Sequence, residues 1–337
     1  MTFVPPADSL TPGTAGRILE LLFAAPGGLS GARISRDLGI SRTAVWKQIN
    51  NLRDCGYEIA AEPARGYRLV ATPDTLAAAA LKSATAGRLI GSRIVSLAET
   101  ASTNTAAFRL AEEGAAEGTV VLADQQTAGK GRMGRVWASP PGVNLYCSIV
   151  LRPEIQPLAA PQLTFLSVIA VARAIEALTP LKTRIKWPND LLIDGKKVAG
   201  LLNEMSAETD QVNFVVLGIG VNLNMTRDQF PADLRQPATS LLLETGGRVD
   251  RTAFAARLLQ ELDELYGDFR RSGYEPARRE WLERSRLAGV AVAVAEGGTV
   301  RRGRVAGIDE SGALVLADGE RIYSGDVTLE GELAAGN

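Results

Sequence analysis

Between Gly129 and Arg135 the chain reads Gly-Lys-Gly-Arg-Met-Gly-Arg, three glycines and three cations within seven residues, followed by Val136 and Trp137. Glycine lets backbone approach a ligand closely, and lysine and arginine neutralise negative charge. The segment therefore predicts a loop that handles a phosphate or another anion. Gly129 to Gly134 also satisfies G-x-G-x-x-G, the dinucleotide-binding fingerprint, which works only where a helix opens at its end to receive a pyrophosphate. Here Pro140-Pro141-Gly142 follows, which cannot sit inside an opening helix. A Walker A loop is excluded because G-x-x-x-x-G-K-[ST] occurs nowhere in the chain.

Further residues of the same chemical type lie downstream. Arg184-Ile-Lys-Trp-Pro-Asn-Asp190 is followed by an apolar run, the turn Asp194-Gly195 and Lys196-Lys197. Asp-Gly between apolar runs signals a hairpin, and the expectation is that Lys186 and Lys197 lie on paired strands, where two ammonium groups can converge on one anion. Strand lysines that discourage edge pairing are the alternative at this point. Phe214 to Asn222 predicts a central strand ending in Gly-x-Gly-x-Asn, whose glycines let a ligand come close to backbone. Ser102-Thr103-Asn104 precedes a helix running to Glu113. Either Ser102 or Thr103 is explained by helix capping, and three consecutive hydrogen-bonding residues exceed that need.

The 337 residues contain no histidine, two cysteines (Cys55 and Cys147) and a net charge of -1. A disulfide framework is excluded, and a zinc site would lack its usual ligands. Without the commonest general base near neutral pH, chemistry rests on carboxylates, lysines, arginines or a reactive substrate. No basic segment leads into an apolar one at the start, and no apolar run approaches the roughly 18 to 20 residues that span a bilayer, so a cytoplasmic protein is expected. Near-neutral charge means that any nucleic-acid contact must be local.

The elements that must position these residues follow in order. Residues 1 to 13 hold three prolines and predict a frayed arm. From Gly16 the apolar spacing predicts a helix, then a short helix over Gly31 to Leu38 ending at Gly39, then a third helix capped by Ser41. Val45, Ile49 and Leu52 share one face of that helix, and Arg42, Thr43, Lys47 and Asn50 point elsewhere. Two strands joined through Glu62-Pro63-Ala64-Arg65 complete the order of a winged helix-turn-helix. Gly16 to Val70 holds eight basic and five acidic residues, a local +3. DNA is the favoured partner, with Ser41, Arg42, Thr43, Lys47 and Arg65 as the contact candidates; an ordinary solvated helix is the alternative. A boundary at Ala71 to Asp74, with Asp74 a candidate cap, leads into a second domain of strands and helices. From Val290 the pattern changes to period two with turn clusters, which predicts a small β-barrel.

Taken together, Ser-Thr-Asn, Gly-Lys-Gly-Arg-Met-Gly-Arg-Val-Trp, Lys-Trp-Pro-Asn-Asp, Gly-Lys-Lys-Val-Ala-Gly and Gly-Ile-Gly-Val-Asn, in this order, resemble the biotin protein ligases. With its N-terminal winged helix the chain resembles the bifunctional members, which are also transcriptional repressors. The resemblance covers nearly everything from Gly16 to about Leu329. It implies an α+β, multidomain fold: a winged helix over 14–72, a mixed-sheet α/β ligase domain over 84–287 and an SH3-like β-barrel over 288–331. It also implies a two-step reaction in which biotin and ATP, with Mg2+, give biotinyl-5'-AMP, and a lysine of a biotin carboxyl carrier protein then takes the biotinyl group. No protein ligand for Mg2+ is implied.

By family position, Arg132 and Lys197 are the catalytic pair at the carboxylate and phosphate oxygens. Ser102, Thr103, Asn104, Gln126, Gly129, Lys130 and Gly131 join them around biotin. Arg135, Trp137, Lys186, Asn189 and Asn222 lie around the nucleotide, with Trp137 stacking on adenine. The family commonly has arginine where this chain has Lys130, which turns a bidentate contact into a point charge. The implied partners are the carrier protein, operator DNA and a second copy of the chain in a ligand-promoted homodimer. Two variants stay open: a DNA-binding sensor of biotinyl-AMP that does not transfer it, and a ligase whose DNA-binding domain is not functional.

Overall fold

The computed structural model describes residues 13–329 apart from residues 64, 73, 75 and 297, so the expected arm at 1–12 and the residues after 329 lie outside the described residues. The N-terminal unit comprises α1 (Thr14–Phe23), α2 (Gly31–Leu38), α3 (Arg42–Asp54), β1 (Glu58–Glu62) and β2 (Gly66–Ala71). Ser30 and Ser41 accept hydrogen bonds from Arg33 N (3.2 Å) and Ala44 N (3.1 Å), so each caps its helix as a serine at that position should. Gly39 ends α2 in the left-handed conformation that glycine tolerates best. Ile18, Leu19, Leu22, Ile34, Val45, Ile49 and Leu52 form a small core of their own, and β1 pairs antiparallel with β2 as the wing.

The linker leads to α4 (Ala78–Lys82), which contributes Ala79 to that small core and places Lys82 Nζ 2.5 Å from Glu20. No side chain caps α4. Asp74, expected as the cap, instead accepts from Arg251 Nε at 2.9 Å and lies 3.3 Å from Arg248 Nη2. An ion pair with a fully buried arginine outcompetes a cap on a five-residue helix.

The central domain runs through β3 (Arg93–Thr100), α5 (Thr103–Glu112), β4 (Thr119–Gln126), β5 (Leu145–Leu151), α6 (Pro161–Leu178), β6 (Arg184–Lys186), β7 (Asp190–Ile193), β8 (Lys196–Ala207) and β9 (Val212–Val221). It closes with α7 (Leu241–Thr245), α8 (Arg251–Ser272) and α9 (Glu275–Ser285). Seven strands form one sheet in the order β3-β4-β5-β9-β8-β7-β6; β3 and β4 are parallel and every other pair is antiparallel. Alternation along the strands divides its two faces. Val120, Leu122, Cys147, Ile149, Leu217 and Ile219 pack toward α6 and α8, whereas Val121, Ala123, Val150 and Val216 pack toward α5. The 157–178 stretch is long and apolar enough to cross a bilayer, contrary to the sequence expectation, but two-thirds of its window is buried within the protein. Its hydrophobicity serves the core.

A third unit, β10 (Ala291–Glu296), β11 (Thr299–Ile308), β12 (Leu314–Leu316), β13 (Arg321–Ile322) and β14 (Asp326–Leu329), is an all-antiparallel sheet in the order β13-β12-β11-β10-β14. The first part of β11 pairs with β10 and the rest with β12, with a register irregularity between Val305 and Gly307, just after the partner changes. Val292, Val294, Leu314, Leu316 and Val327 join the same core as Phe165 and Trp281, so this sheet is packed onto the central domain.

Arg251 ties linker to sheet. It is fully buried, donates to Asp74 and to Asp124 Oδ1 (2.8 Å) and also reaches Asn144 O (3.3 Å). Asp74 is exposed and Asp124 half-buried, so removing the arginine leaves both carboxylates near water; what is lost is a fully buried side chain and the donor to the buried Asn144 carbonyl. Arg251→Ala is expected to lower unfolding free energy by about 2–4 kcal/mol, read from urea denaturation; a loss below about 1 kcal/mol would contradict this packing.

Candidate active site

A cavity of about 720 Å3 opens on the α5 side of the sheet, lined by the 130–138 loop, the β6–β7 turn, β8, β9, the 230–238 segment and Asp326 to Thr328. The glycine-rich loop forms a small hairpin. Gly131 N donates to Arg135 O at 2.7 Å and Trp137 N to Gly129 O at 2.9 Å, with Met133 at φ 55° in the turn. Gly129 lies against the rear of this turn: a Cβ there would stand 2.4 Å from Trp137 O and 2.7 Å from Ser139 Oγ.

Each loop cation meets an acceptor from a different element. Lys130 Nζ lies 3.2 Å from Glu204 on β8, and Arg132 Nη1 donates to Asn189 Oδ1 (3.3 Å) in the β6–β7 turn. Arg135 pairs with Asp326 on β14. Burial pulls the Arg132 guanidinium below its ordinary range, opposed by Asp190 and Asp326, and the hydrogen bond to Asp326 raises Arg135. The same bond holds the Asp326 carboxyl below the usual range. Arg132 is thus a half-buried cation with no carboxylate in direct contact among the described residues, a state that favours an incoming anion.

The expectation that Lys186 and Lys197 occupy paired strands is corrected: β7 lies between β6 and β8. Trp187, Pro188 and Asn189 make the turn from β6 to β7, so the motif contains a hairpin of its own. Asp190 consequently stands between the two lysines. Lys197 Nζ is 2.6 Å from Asp190 Oδ1, while Gln236 bridges the other side, accepting from Lys186 Nζ (3.1 Å) and donating to Asp190 Oδ2 (2.9 Å). The ammonium groups do face one region, through a carboxylate that sequence reading had not singled out although it closes the Lys-Trp-Pro-Asn-Asp motif.

The floor is made of glycine. Gly200 on β8 stands opposite Gly220 on β9, and Leu202 opposite Gly218. A Cβ on Gly200 or Gly220 would come within 2.9 or 2.7 Å of the Trp137 ring, and one on Gly218 within 2.2 Å of Asn104 Oδ1. The close approach expected for a ligand is thus taken first by two of the protein's own side chains. Lys197 Nζ sits 5.3 Å from the Trp137 ring centroid, within cation–π range, and the buried Trp137 Nε1 has no hydrogen-bond partner among the described residues.

Behind the floor runs a polar chain. Ser102 is the N-cap residue of α5, but its side chain makes no capping bond. The α5 start is held by Gln126, whose Oε1 accepts from Thr103 N (2.8 Å) and Thr103 Oγ1 (3.1 Å) and whose Nε2 donates to Ser139 Oγ (2.8 Å). Asn104 Nδ2 donates to Leu202 O (3.1 Å) and Glu204 Oε2 (2.9 Å), and Ser148 Oγ donates to Asn104 Oδ1 (2.6 Å) and lies 2.8 Å from Thr103 Oγ1. Asn222 is buried, donating to Thr239 O (3.1 Å) with Asn144 Nδ2 3.4 Å from its Oδ1. Glu204, Ser139 and Ser148 were not found from sequence; only their places on alternating strands or beside the loop could have signalled them.

Of the sequence-derived set, Ser102, Thr103, Asn104, Gln126, Lys130, Gly131, Arg132, Arg135, Trp137, Lys186, Asn189, Lys197 and Asn222 line this one cavity. Ser41, Arg42, Thr43 and Lys47 lie apart, at the start of α3 on its exposed side, and Arg65 is exposed beside the wing, 3.7 Å from Glu62.

Comparison with known proteins agrees with this division. Residues 15–68 match an HTH domain, residues 96–222 the biotin/lipoate A/B protein ligase family and residues 289–329 the biotin protein ligase C terminal domain. The bifunctional ligase/repressor BirA of Bacillus spizizenii is 40% identical over 304 residues, covering 89% of this chain and 94% of that protein. The bifunctional ligase/repressor BirA of Escherichia coli is 34% identical over 288 residues, covering 85% and 87%. Among solved structures, biotin protein ligase from Aquifex aeolicus in complex with biotin and ATP superposes with a TM-score of 0.60 at 29% identity, covering 71% of this chain and 99% of that one. A helix-turn-helix unit joined to a ligase domain thus defines the class. The chain belongs to the biotin protein ligase family, on the plan of its bifunctional ligase/repressors.

The glycine floor gives a direct test. Gly218→Ala is expected to cost about 1–3 kcal/mol of stability by driving Asn104 from its place, measured by thermal denaturation. Gly307→Ala, where nothing lies within 4 Å of a new Cβ, serves as the control. Equal effects of the two would contradict the close packing described for Gly218.

Proposed function

We propose that this protein joins biotin to ATP as biotinyl-5'-AMP and then transfers the biotinyl group to a lysine of a biotin carboxyl carrier protein, in the cytoplasm. The observation that carries the reading is the gathering of Arg132, Lys186 and Lys197 around one cavity with a glycine floor. Two anions must be brought together before the biotin carboxylate can attack the α-phosphate, and cations held out of water supply that stabilisation. Attack forms the acyl–phosphate bond, breaks the bond to the bridging oxygen and releases pyrophosphate. In the second step the carrier's lysine nitrogen attacks the acyl carbon, AMP leaves with the bonding pair, and the nitrogen loses a proton.

In this reading Arg132 and Lys197 contact the carboxylate and phosphate oxygens. Asp190 holds Lys197 until the ligand's oxygens replace it. Ser102, whose side chain makes no capping bond, offers biotin its hydroxyl, and Thr103, Asn104 and Gln126 set the wall against which the ureido ring lies. Gly129, Lys130 and Gly131 close the loop over it. Trp137 offers its ring to adenine, with Arg135, Lys186, Asn189 and Asn222 around the nucleotide. Mg2+ arrives with the triphosphate, as the chemistry of ATP requires. The winged helix supplies the repressor half: Ser41, Arg42, Thr43, Lys47 and Arg65 meet operator DNA, and the adenylate-loaded protein binds it as a homodimer.

Isotope exchange between ATP and pyrophosphate tests the first step, and it is expected only when biotin is present. Exchange without biotin, or none with it, would sink the reading. Arg132→Gly is expected to release the adenylate about 10- to 100-fold faster, the equivalent of one charge-assisted hydrogen bond at about 1.5–3 kcal/mol; an unchanged dissociation rate removes Arg132 from this role. Sedimentation is expected to show a dimer when biotin and ATP are both supplied, and a monomer throughout would refute ligand-promoted assembly.

A further inference from the structure

The four tryptophans have very different surroundings. Trp187 and Trp281 are buried in the core, Trp137 lines the cavity, and Trp46 is 56% exposed on α3. Exposing an aromatic of that size forgoes about 2–3 kcal/mol of burial, so its place needs a reason. α3 already has a complete inner face in Val45, Ile49 and Leu52, and Trp46 lies on its flank, about 60° from Ile49 and about 100° from Val45 at helical spacing.

Residues on a helix advance by about 100°, which puts Trp46 about 40° from Arg42, about 60° from Thr43 and about 100° from Lys47. The indole therefore stands in the middle of the stripe formed by the expected DNA contacts. Arg42 and Lys47 have no ion pair among the described residues, and no acidic residue occurs from Ser41 to Arg53. By contrast Arg53 is engaged with Ile59 O, and Arg68 with Glu62. An apolar plate flanked by two uncommitted cations matches a surface with charged edges and an apolar, hydrogen-bonding floor. The major groove of DNA is such a surface, with phosphates along both rims and thymine methyl groups within. Trp46 is the fifth residue of α3, within the N-terminal part of a recognition helix that reaches base edges.

We propose that Trp46 is a base-reading residue, which presses its indole on the major-groove edge of a thymine and so sets sequence preference, while Arg42 and Lys47 hold the phosphates. The inference rests on the DNA-binding reading above and adds to it the residue that selects sequence.

The test uses the full chain with biotin and ATP and a random-sequence duplex library. Wild type is expected to enrich a site containing at least one required thymine. Trp46→Ala is expected to bind that site about tenfold or more weakly, with the same salt dependence, because phosphate contacts are untouched. Replacing the thymine by deoxyuracil, which removes only the methyl group, is expected to weaken wild type several-fold and the variant not at all. Biotin ligation is expected to be unchanged in Trp46→Ala, and retained salt-dependent binding to random-sequence duplex, together with an unchanged circular-dichroism melting curve, shows that the winged helix is still folded. If wild type enriches a site and Trp46→Ala binds it with equal affinity and preference, the inference is overturned while the DNA reading stands. Loss of dimer formation in the variant with base preference retained also overturns it, placing Trp46 between two copies of the chain. No enrichment by wild type overturns the DNA reading and this inference with it.

Discussion

Arg132 and Lys197 are cations kept partly out of water, and the rest of the cavity follows from what that costs. A buried charge without compensation is expensive, whereas one resting against an exchangeable acceptor is stable and still ready for a ligand. Arg132 rests on the neutral Asn189 and Lys197 on Asp190. Each acceptor is anchored in turn, Asn189 through its amide to Leu201 O and Asp190 through Gln236. The ligand's oxygens thus have defined positions to take over, and little rearrangement is asked of the chain at the moment of binding.

The same constraint explains the glycine floor and the polar chain beneath it. Large rings and amides can lie flat on a sheet only where strand residues lack side chains, and Gly200, Gly218 and Gly220 clear that space on facing strands. Asn104, Thr103 and Ser148 then satisfy one another in the space between α5 and the sheet. Gln126 and Ser139 extend this chain to the carbonyl of Trp137, so the start of α5 and the glycine-rich loop share one hydrogen-bonded system. Asp326 brings the C-terminal sheet to the same loop through Arg135. Three parts of the chain therefore converge on seven residues.

Much of this was legible in sequence because the informative signals are local. The serine caps of α2 and α3, the Asp194-Gly195 turn and the continuous apolar run of β9 depend on neighbours a few residues away. The loop's chemistry was likewise written in its composition. Its counter-charges were not, because Glu204 and Asp326 stand 74 and 191 residues from their partners and strand geometry alone brings them there. The misplacement of Lys186 had a different origin: Pro188 and Asn189 are turn residues, and taking Lys-Trp-Pro-Asn-Asp as one strand concealed β7. Asp74 was assigned to a cap because its true partner, Arg251, lies beyond the whole sheet.

The central claim is that one cavity condenses biotin with ATP and passes the product to a protein lysine. Intact-mass measurement of a biotin-acceptor domain, incubated with this protein, biotin and MgATP, tests it most directly. A mass increase of one biotinyl group, dependent on both small molecules and abolished when the acceptor lysine is replaced by arginine, is the predicted result. An acceptor that stays unmodified while the protein retains bound biotinyl-5'-AMP would contradict the transfer and leave a sensor in place of an enzyme.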